Sequence, residues 1–169
     1  TVLMAGDELA VMAVDDESES IFSSFRGEGS SIKLKKAFIV GGTRIARYLL
    51  RMMGKKTQER MVLIERDSDI CSSFAEEFPY LLVLNDSITD EEVWDDERLH
   101  EADLMVSVTE DDELNIITAS YAKKVGTKKS IALLKTNPNY MQFATTLGID
   151  VPISTTSSTV DTIMKHLRG

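Results

Sequence analysis

Two short sets of residues in this chain have the types and spacing to bind a phosphorylated ligand. The first is the turn Gly41-Gly42-Thr43-Arg44-Ile45-Ala46, entered from the apolar run Phe38-Ile39-Val40. The second is Glu65-Arg66-Asp67, which ends the apolar run Val62-Leu63-Ile64. Held against G-x-G-x-x-G/A, the turn keeps its first glycine for the tight bend and a small last residue, Ala46, for close helix–strand packing. Its middle glycine, where backbone approaches pyrophosphate, is Thr43. The β-branched side chain there either crowds a dinucleotide or offers a hydroxyl to a phosphate. Glu65 lies 19 residues beyond Ala46, near the spacing at which a carboxylate accepts from ribose hydroxyls. A solvated acid at a strand end is the plainer account. Arg44 and Arg66 flank the same mouth and have two readings, phosphate contact or simple solvation.

Other candidates are weaker. Glu110-Asp111-Asp112-Glu113 opens a helix, where carboxylates favour the positive dipole end, and it lacks the alternating spacing of a calcium loop. Ser107, Thr109 and Asn115 sit where a nucleotide or a helix cap would use them. Cys71, early in a helix, is a small buried filler or a thiol of lowered pKa. With His100, His166 and Cys71 as the soft ligands, a zinc site is not expected. No Ser–His–Asp or Cys–His set stands at supporting positions, so the chain does not read as an enzyme.

These residues need a β-α-β frame, and the pattern supplies one. Ala37–Val40 is a strand, followed by a helix with Ile45, Leu49, Leu50 and Met53 on one face. Gly54 and Lys55-Lys56 read as its carboxyl end. Met61–Ile64 is the second strand, Asp67-Ser68-Asp69 opens the next helix, and Pro79 stops it. Leu81–Leu84, Asp103–Val108, Ser130–Leu134 and Ile149–Ile153 are further strands. Between them lie a capping box at Thr89-Asp90-Glu91-Glu92 ahead of Val93 and Trp94, a helix carrying Leu114, Ile117, Ala119 and Tyr121, and a helix after Asn137-Pro138. Met52, Met53, Met105, Met141 and Met164 read as core. A last amphipathic helix holds Val160, Ile163, Met164 and Leu167. Six apolar strands alternating with helices predict an α/β fold, a doubly wound, parallel, Rossmann-like sheet.

The first 26 residues differ in texture. Val2–Ala5 and Leu9–Val14 around Gly6-Asp7 suggest a β-hairpin, and Ile21, Phe22 and Phe25 a short helix. That is too little core to stand alone. Residues 1–26 are expected to be the remnant of a preceding domain, 27–33 a Gly/Ser-rich linker, and 34–169 the main domain.

Composition sets the outer bounds. Of the 169 residues, 43% are hydrophobic and 28% charged, enough for a sizeable core. A net charge of −9 argues against a nucleic-acid partner. One cysteine excludes an internal disulfide and fits a reducing compartment. No apolar run approaches the roughly 20 residues of a membrane span, and Thr1-Val2-Leu3-Met4 does not read as a signal peptide.

Taken together, Ile39–Leu49 and Ile64–Asp67 resemble the TrkA amino-terminal domain family, also called RCK or KTN. Leu84-Asn85-Asp86-Ser87-Ile88-Thr89-Asp90, Glu101-Ala102-Asp103, Thr109–Asn115 and Leu147-Gly148-Ile149-Asp150 continue the likeness collinearly over residues 34–168. Residues 1–26, with Ala5-Gly6-Asp7-Glu8-Leu9, resemble the tail of that family's carboxyl-terminal domain, which implies the second repeat of a tandem protein. The resemblance implies a cytoplasmic regulatory subunit, peripheral on the inner face of the membrane. It would bind NAD or NADH, with ATP or ADP as the alternative, and gate a potassium transporter or channel through changes of assembly. It further implies a homo-oligomer, with the 155–168 helix crossing to a partner domain. The candidate nucleotide-binding residues are Gly41, Gly42, Thr43, Arg44, Ile45, Glu65, Arg66, Asp86, Ser87 and Thr109. Two departures from the family pattern fall at the mouth: Thr43 replaces a glycine, and Asp86-Ser87-Ile88 stands where Gly-Asp-Gly is common. Rival readings are an NAD-dependent oxidoreductase or epimerase lacking its substrate domain, and a Rossmann-like assembly module that binds nothing.

Overall fold

The structure, a computed structural model, describes residues 34–135, 139–154 and Ile163. The expected hairpin and linker in residues 1–33, the Asn137-Pro138 cap and the rest of the 155–168 helix lie outside the described residues.

The four central strands are buried or nearly so along their length, and that burial explains their unbroken apolar runs, whereas the two edge strands are partly exposed. In chain order the elements are β1 (Ala37–Val40), α1 (Arg44–Arg51), α2 (Lys55–Gln58), β2 (Met61–Glu65), α3 (Ser68–Glu77), β3 (Leu82–Asn85), α4 (Glu91–Asp96), a 3-10 turn (Leu99–Glu101), β4 (Leu104–Ser107), α5 (Asp112–Val125), β5 (Lys129–Leu134), α6 (Asn139–Thr146) and β6 (Val151–Ser154). The sheet order is β3-β2-β1-β4-β5-β6, every pair parallel. The chain first winds outward through β2 and β3, then returns to β4 beside β1 and winds the other way. The switch point therefore lies between the carboxyl ends of β1 and β4.

Alternation along the strands divides the core. Ala37 and Ile39 face Ala46, Leu49, Leu50 and Phe74 on one side of the sheet, a layer that also takes in Ile153 and Ile163. Phe38, Val40, Val62 and Ile64 face Val93, Leu99 and Ala122 on the other. A third cluster, with Ile116, Ala119, Ala144 and Ile149, seats α6 against α5 and β5.

Several local expectations change. The first helix ends at Arg51, and Gly54 begins the next one: it is the N-cap of α2, with an ordinary φ of −69°. The reason is Gln58, whose buried amide donates to the carbonyls of Leu50 and Met53 and so terminates α1 with a side chain. The Thr89–Glu92 capping box does not form. Asp90 is the N-cap of α4 without a side-chain cap, while the Thr89 hydroxyl lies 2.7 Å from that of Ser87. Met53 and Met105 are core, Met141 packs against the third cluster, and Met52, the residue that caps the end of α1, is exposed. Met164 lies outside the described residues. Arg47 and Arg51 of α1 both pair with Glu77 of α3, locking the two helices that flank the nucleotide-type turn.

Candidate functional site

The turn after β1 is built so that only glycine fits. Gly41 has φ +102°, and a Cβ there would meet the Thr109 backbone at 2.9 Å. A Cβ on Gly42 would lie 2.4 Å from the Ile70 Cγ2 methyl and 3.2 Å from Glu65 Cγ. Both glycines let three chain segments converge: the exits of β1, β2 and β4. The Gly41 N–H donates to the Ile64 carbonyl at 3.0 Å, continuing the sheet by one residue before the chain turns.

Thr43 is the N-cap of α1, and its Oγ1 accepts from the Ala46 N–H at 3.4 Å. The side chain that departs from the glycine pattern is therefore recruited by the helix itself. Its own O–H is left to donate elsewhere.

Glu65 bridges the mouth. Oε2 accepts from the Gly42 N–H at 2.7 Å and Oε1 from the Asp67 N–H at 2.9 Å. Each oxygen keeps a further lone pair, so the carboxylate is pre-oriented to accept from two neighbouring hydroxyls. The β2 exit is tied in turn to β3: Asn85 donates to the carbonyls of Glu65 and Arg66, and the Asp86 N–H to Glu65.

The fourth wall rests on Asn115, fully buried in α5. Its Oδ1 accepts from Ser107 Oγ, the Thr109 N–H and Thr109 Oγ1, and its Nδ2 donates to the carbonyls of Thr109 and Leu133. Of the two readings open for Ser107 and Asn115, they take the structural one: they hold Thr109 in place behind Gly41. Residue type alone could not reveal this, because the signal is burial.

Between these walls lies a cleft of about 450 Å3, lined by the carboxyl ends of β1 to β4 and the loops that follow. That volume is within the range of small-molecule sites. It brings together Gly41, Gly42, Thr43, Glu65, Arg66, Asp86, Ser87 and Thr109. Arg44 and Ile45 are not among its lining residues. Ile45 packs against the core layer, and Arg44 is exposed on the first turn of α1. Ile88 joins the floor from the Asp86-Ser87-Ile88 segment; the other apolar floor residues, Val40, Ile64, Ile70 and Leu114, have no site signal in the sequence, since apolar residues in strands and helices read as ordinary core.

The rim is acidic. Asp67 caps α3 through the Asp69 and Ile70 N–H groups, Asp111 caps α5 through that of Leu114, and Asp86 accepts from Ser87. Glu110 pairs with Lys135. Arg66 is the one cation among the lining residues. The Glu110–Glu113 run serves α5 by capping, and among the described residues no His, Cys, Asp and Glu group has metal-holding geometry. Cys71 is buried under the β2 exit, where its thiol donates to the Glu65 carbonyl at 3.2 Å. Burial, followed by the Glu65 charge, pushes that thiol up, so it is a packing residue and not an activated nucleophile.

Comparison with known proteins bears on the fold and the family. The family model of the TrkA-N domain matches residues 37–155. The chain is 30% identical over 170 residues to the Trk system potassium uptake protein TrkA of Haemophilus influenzae, covering 99% of this chain and 36% of that protein. It is 28% identical over 169 residues to a Trk system potassium uptake protein trkA homolog of Methanosarcina mazei, covering 99% and 41%. The chain thus spans well under half the length of these relatives. Among solved structures, the TrkA-N domain of the inner membrane protein ybaL from Escherichia coli superposes with TM-score 0.63 at 14% identity, over 80% of this chain and 98% of that one. The GsuK channel bound to NAD superposes with TM-score 0.59 at 20% identity, over 75% and 22%. At these identities the structural likeness establishes the fold.

Proposed function

The chain belongs to the TrkA-N domain family, and on that footing we propose that it is a nucleotide-sensing regulatory module of a potassium uptake system. The observation that carries the proposal is the Glu65 carboxylate, fixed by the Gly42 and Asp67 amides at the switch-point cleft with acceptor capacity to spare. A ribose diol is the ligand group that matches two adjacent acceptors. A 2′-phosphate would meet like charge, so NAD or NADH is favoured over its phosphorylated counterparts. ATP and ADP share the unphosphorylated ribose and stand as the alternative. The amino end of α1 faces the cleft and provides the positive dipole end for a phosphate, with Thr43 as hydroxyl donor.

The relatives named as potassium uptake proteins support the transport assignment. In this proposal the module sits on the cytoplasmic face of a membrane potassium transporter or channel, as part of a homo-oligomer. Ligand binding shifts the balance between assembly states, and that shift gates the pore. No helix among the described residues is long and apolar enough to cross a membrane, so the membrane component is a partner in this reading. The role is regulatory. Of the acids lining the cleft, Glu65, Asp67, Asp86 and Asp111 accept from backbone amides and Glu110 pairs with Lys135.

Calorimetry with NAD, NADH, ATP and ADP, combined with mass measurement on the same sample, tests the proposal. Binding of at least one nucleotide with a change of assembly is expected. Silence for all four would leave the Rossmann-like assembly module as the reading. Measurable hydride turnover would replace the regulatory role with an oxidoreductase.

A further inference from the structure

The cleft already holds negative charge where a phosphorylated ligand would bring more. Five carboxylates line it, those of Glu65, Asp67, Asp86, Glu110 and Asp111, against the single guanidinium of Arg66. With Lys135 counted against its partner Glu110 and Arg66 against one other acid, a surplus of three negative charges remains. The floor of Val40, Ile64, Ile70 and Leu114 is apolar, and low-dielectric walls carry the field of such charges into a cleft.

Two backbone donors that could offset this charge are engaged within the turn. In the glycine fingerprint a pyrophosphate rests on the turn and on the first amides of the helix. Here the Gly42 N–H donates to Glu65 Oε2 at 2.7 Å and the Ala46 N–H to Thr43 Oγ1 at 3.4 Å. A phosphate oxygen drawn to the Gly42 amide would meet the Glu65 carboxylate, and one drawn to Ala46 would have to displace the cap. The Thr43 side chain also occupies the position that the fingerprint keeps clear with its second glycine. The ribose acceptor and the apolar floor are intact. The cleft is thus better equipped for the nucleoside than for a chain of phosphates.

We propose that the cleft selects nucleotides by their phosphate charge. It takes a ligand carrying about two such charges, a nucleoside monophosphate or the diphosphate bridge of a dinucleotide, and discriminates against a triphosphate carrying about four. Arg66 offsets part of one phosphate and leaves the rest of a triphosphate facing the acids. The inference rests on the nucleotide reading of the cleft and decides among the ligands that reading leaves open. Thr43 and Asp86 set the specificity. Thr43 takes up the Ala46 amide and the room beside it. Asp86, exposed at the exit of β3, accepts from the Ser87 N–H at 2.8 Å and puts a full charge on the cleft wall.

Calorimetry on the full chain with adenosine, AMP, ADP, ATP and NADH, in buffer free of divalent cations, tests it. The melting temperature of each variant checks folding. At low salt AMP and NADH should bind about tenfold or more tighter than ATP, with ADP between. Added salt should narrow that gap, because screening acts on charge and not on shape. Asp86→Asn keeps an acceptor for Ser87, loses the charge, and should narrow the gap about threefold. Thr43→Gly should tighten ADP and ATP relative to adenosine. If Thr43→Gly fails to fold, the salt series and Asp86→Asn still decide. ATP bound as tightly as AMP, or a gap that neither salt nor Asp86→Asn changes, would overturn the inference and leave the nucleotide reading in place. Silence for all five ligands would remove that reading, and the inference with it.

Discussion

Glu65 and Gly42 close the first β-α-β unit upon itself: Oε2 of the acid accepts from the glycine amide at 2.7 Å across 23 positions of sequence. The turn and the acid are thus one device. The amide orients the carboxylate, and the carboxylate keeps the turn in register with the second strand.

Replacing Glu65 with Ala should weaken binding of a ribose-containing nucleotide by about 1–3 kcal/mol, since a hydroxyl pair loses its acceptor. Calorimetry with NADH or ATP measures this. Glu65→Gln, which keeps the shape and loses half the acceptor capacity, should fall between. Unchanged affinity in the Ala variant would remove Glu65 from the site.

The clearance at Gly42 predicts a compensating pair. Gly42→Ala should destabilise the domain, because its methyl would fall 2.4 Å from Ile70 Cγ2. In the background of Ile70→Ala that obstacle is gone, and the added cost of Gly42→Ala should shrink by about 0.5–3 kcal/mol. Urea denaturation of the four proteins gives the coupling directly. Gly41→Ala should have no such rescue, since its obstacle is the Thr109 backbone and its φ is positive.

Asn115 should be costly to replace. Asn115→Ala leaves the Ser107 hydroxyl, both polar groups of the Thr109 backbone and the Leu133 carbonyl short of a partner in the interior. A loss of about 2–4 kcal/mol is expected. Because Thr109 backs Gly41, nucleotide affinity should fall as well in whatever fraction remains folded. Chemical denaturation and calorimetry on one preparation separate the two effects.

At the opposite end of the sheet, Asp103 fixes a pH dependence. The carboxylate is 2% exposed and accepts from the Lys35 and Lys36 amides and from Lys128 Nζ. Burial pushes its pKa up, but the Lys128 hydrogen bond and the two amides outweigh that and hold it below the usual carboxylate range. The folded pKa is therefore below the unfolded one, near 3.9. The stabilisation is fully present above about pH 4 and is lost as pH falls through the lower folded value. Melting temperature measured from pH 7 to pH 2.5 should drop steeply in that acid window. The Asp103→Asn variant should melt lower at pH 7 and show a shallower acid decline.

Much of this was written locally. Unbroken apolar runs at β1, β2, β4 and β5 predicted buried parallel strands because a strand covered on both faces has no polar side to show. The Gly41-Gly42 turn and the acid at residue 65 marked the first β-α-β unit, since tight turns demand glycine and the spacing to the second strand end is nearly fixed. The family likeness lay in the same collinear motifs. The sequence by itself thus determined the order of the six strands and the fold class, and it singled out Gly41 and Glu65, which both line the cleft.

The tertiary structure decided the rest, and the reason is that packing fixes the phase of a helix while sequence fixes only its periodicity. Ile45 is as apolar as any cleft residue, yet α1 turns it into the core. Ile117 and Tyr121 fit a helical apolar pattern, yet α5 spends Asn115, Ile116 and Ala119 on the sheet and leaves those two outside. Gly54 looked like a helix terminator until the Gln58 side chain folded back to do that work from four residues further on. Asn115 shows the same principle in reverse: a polar residue of modest promise became the keystone of the cleft because five hydrogen-bonding partners from three segments met around it. Only the closed fold brings such partners together.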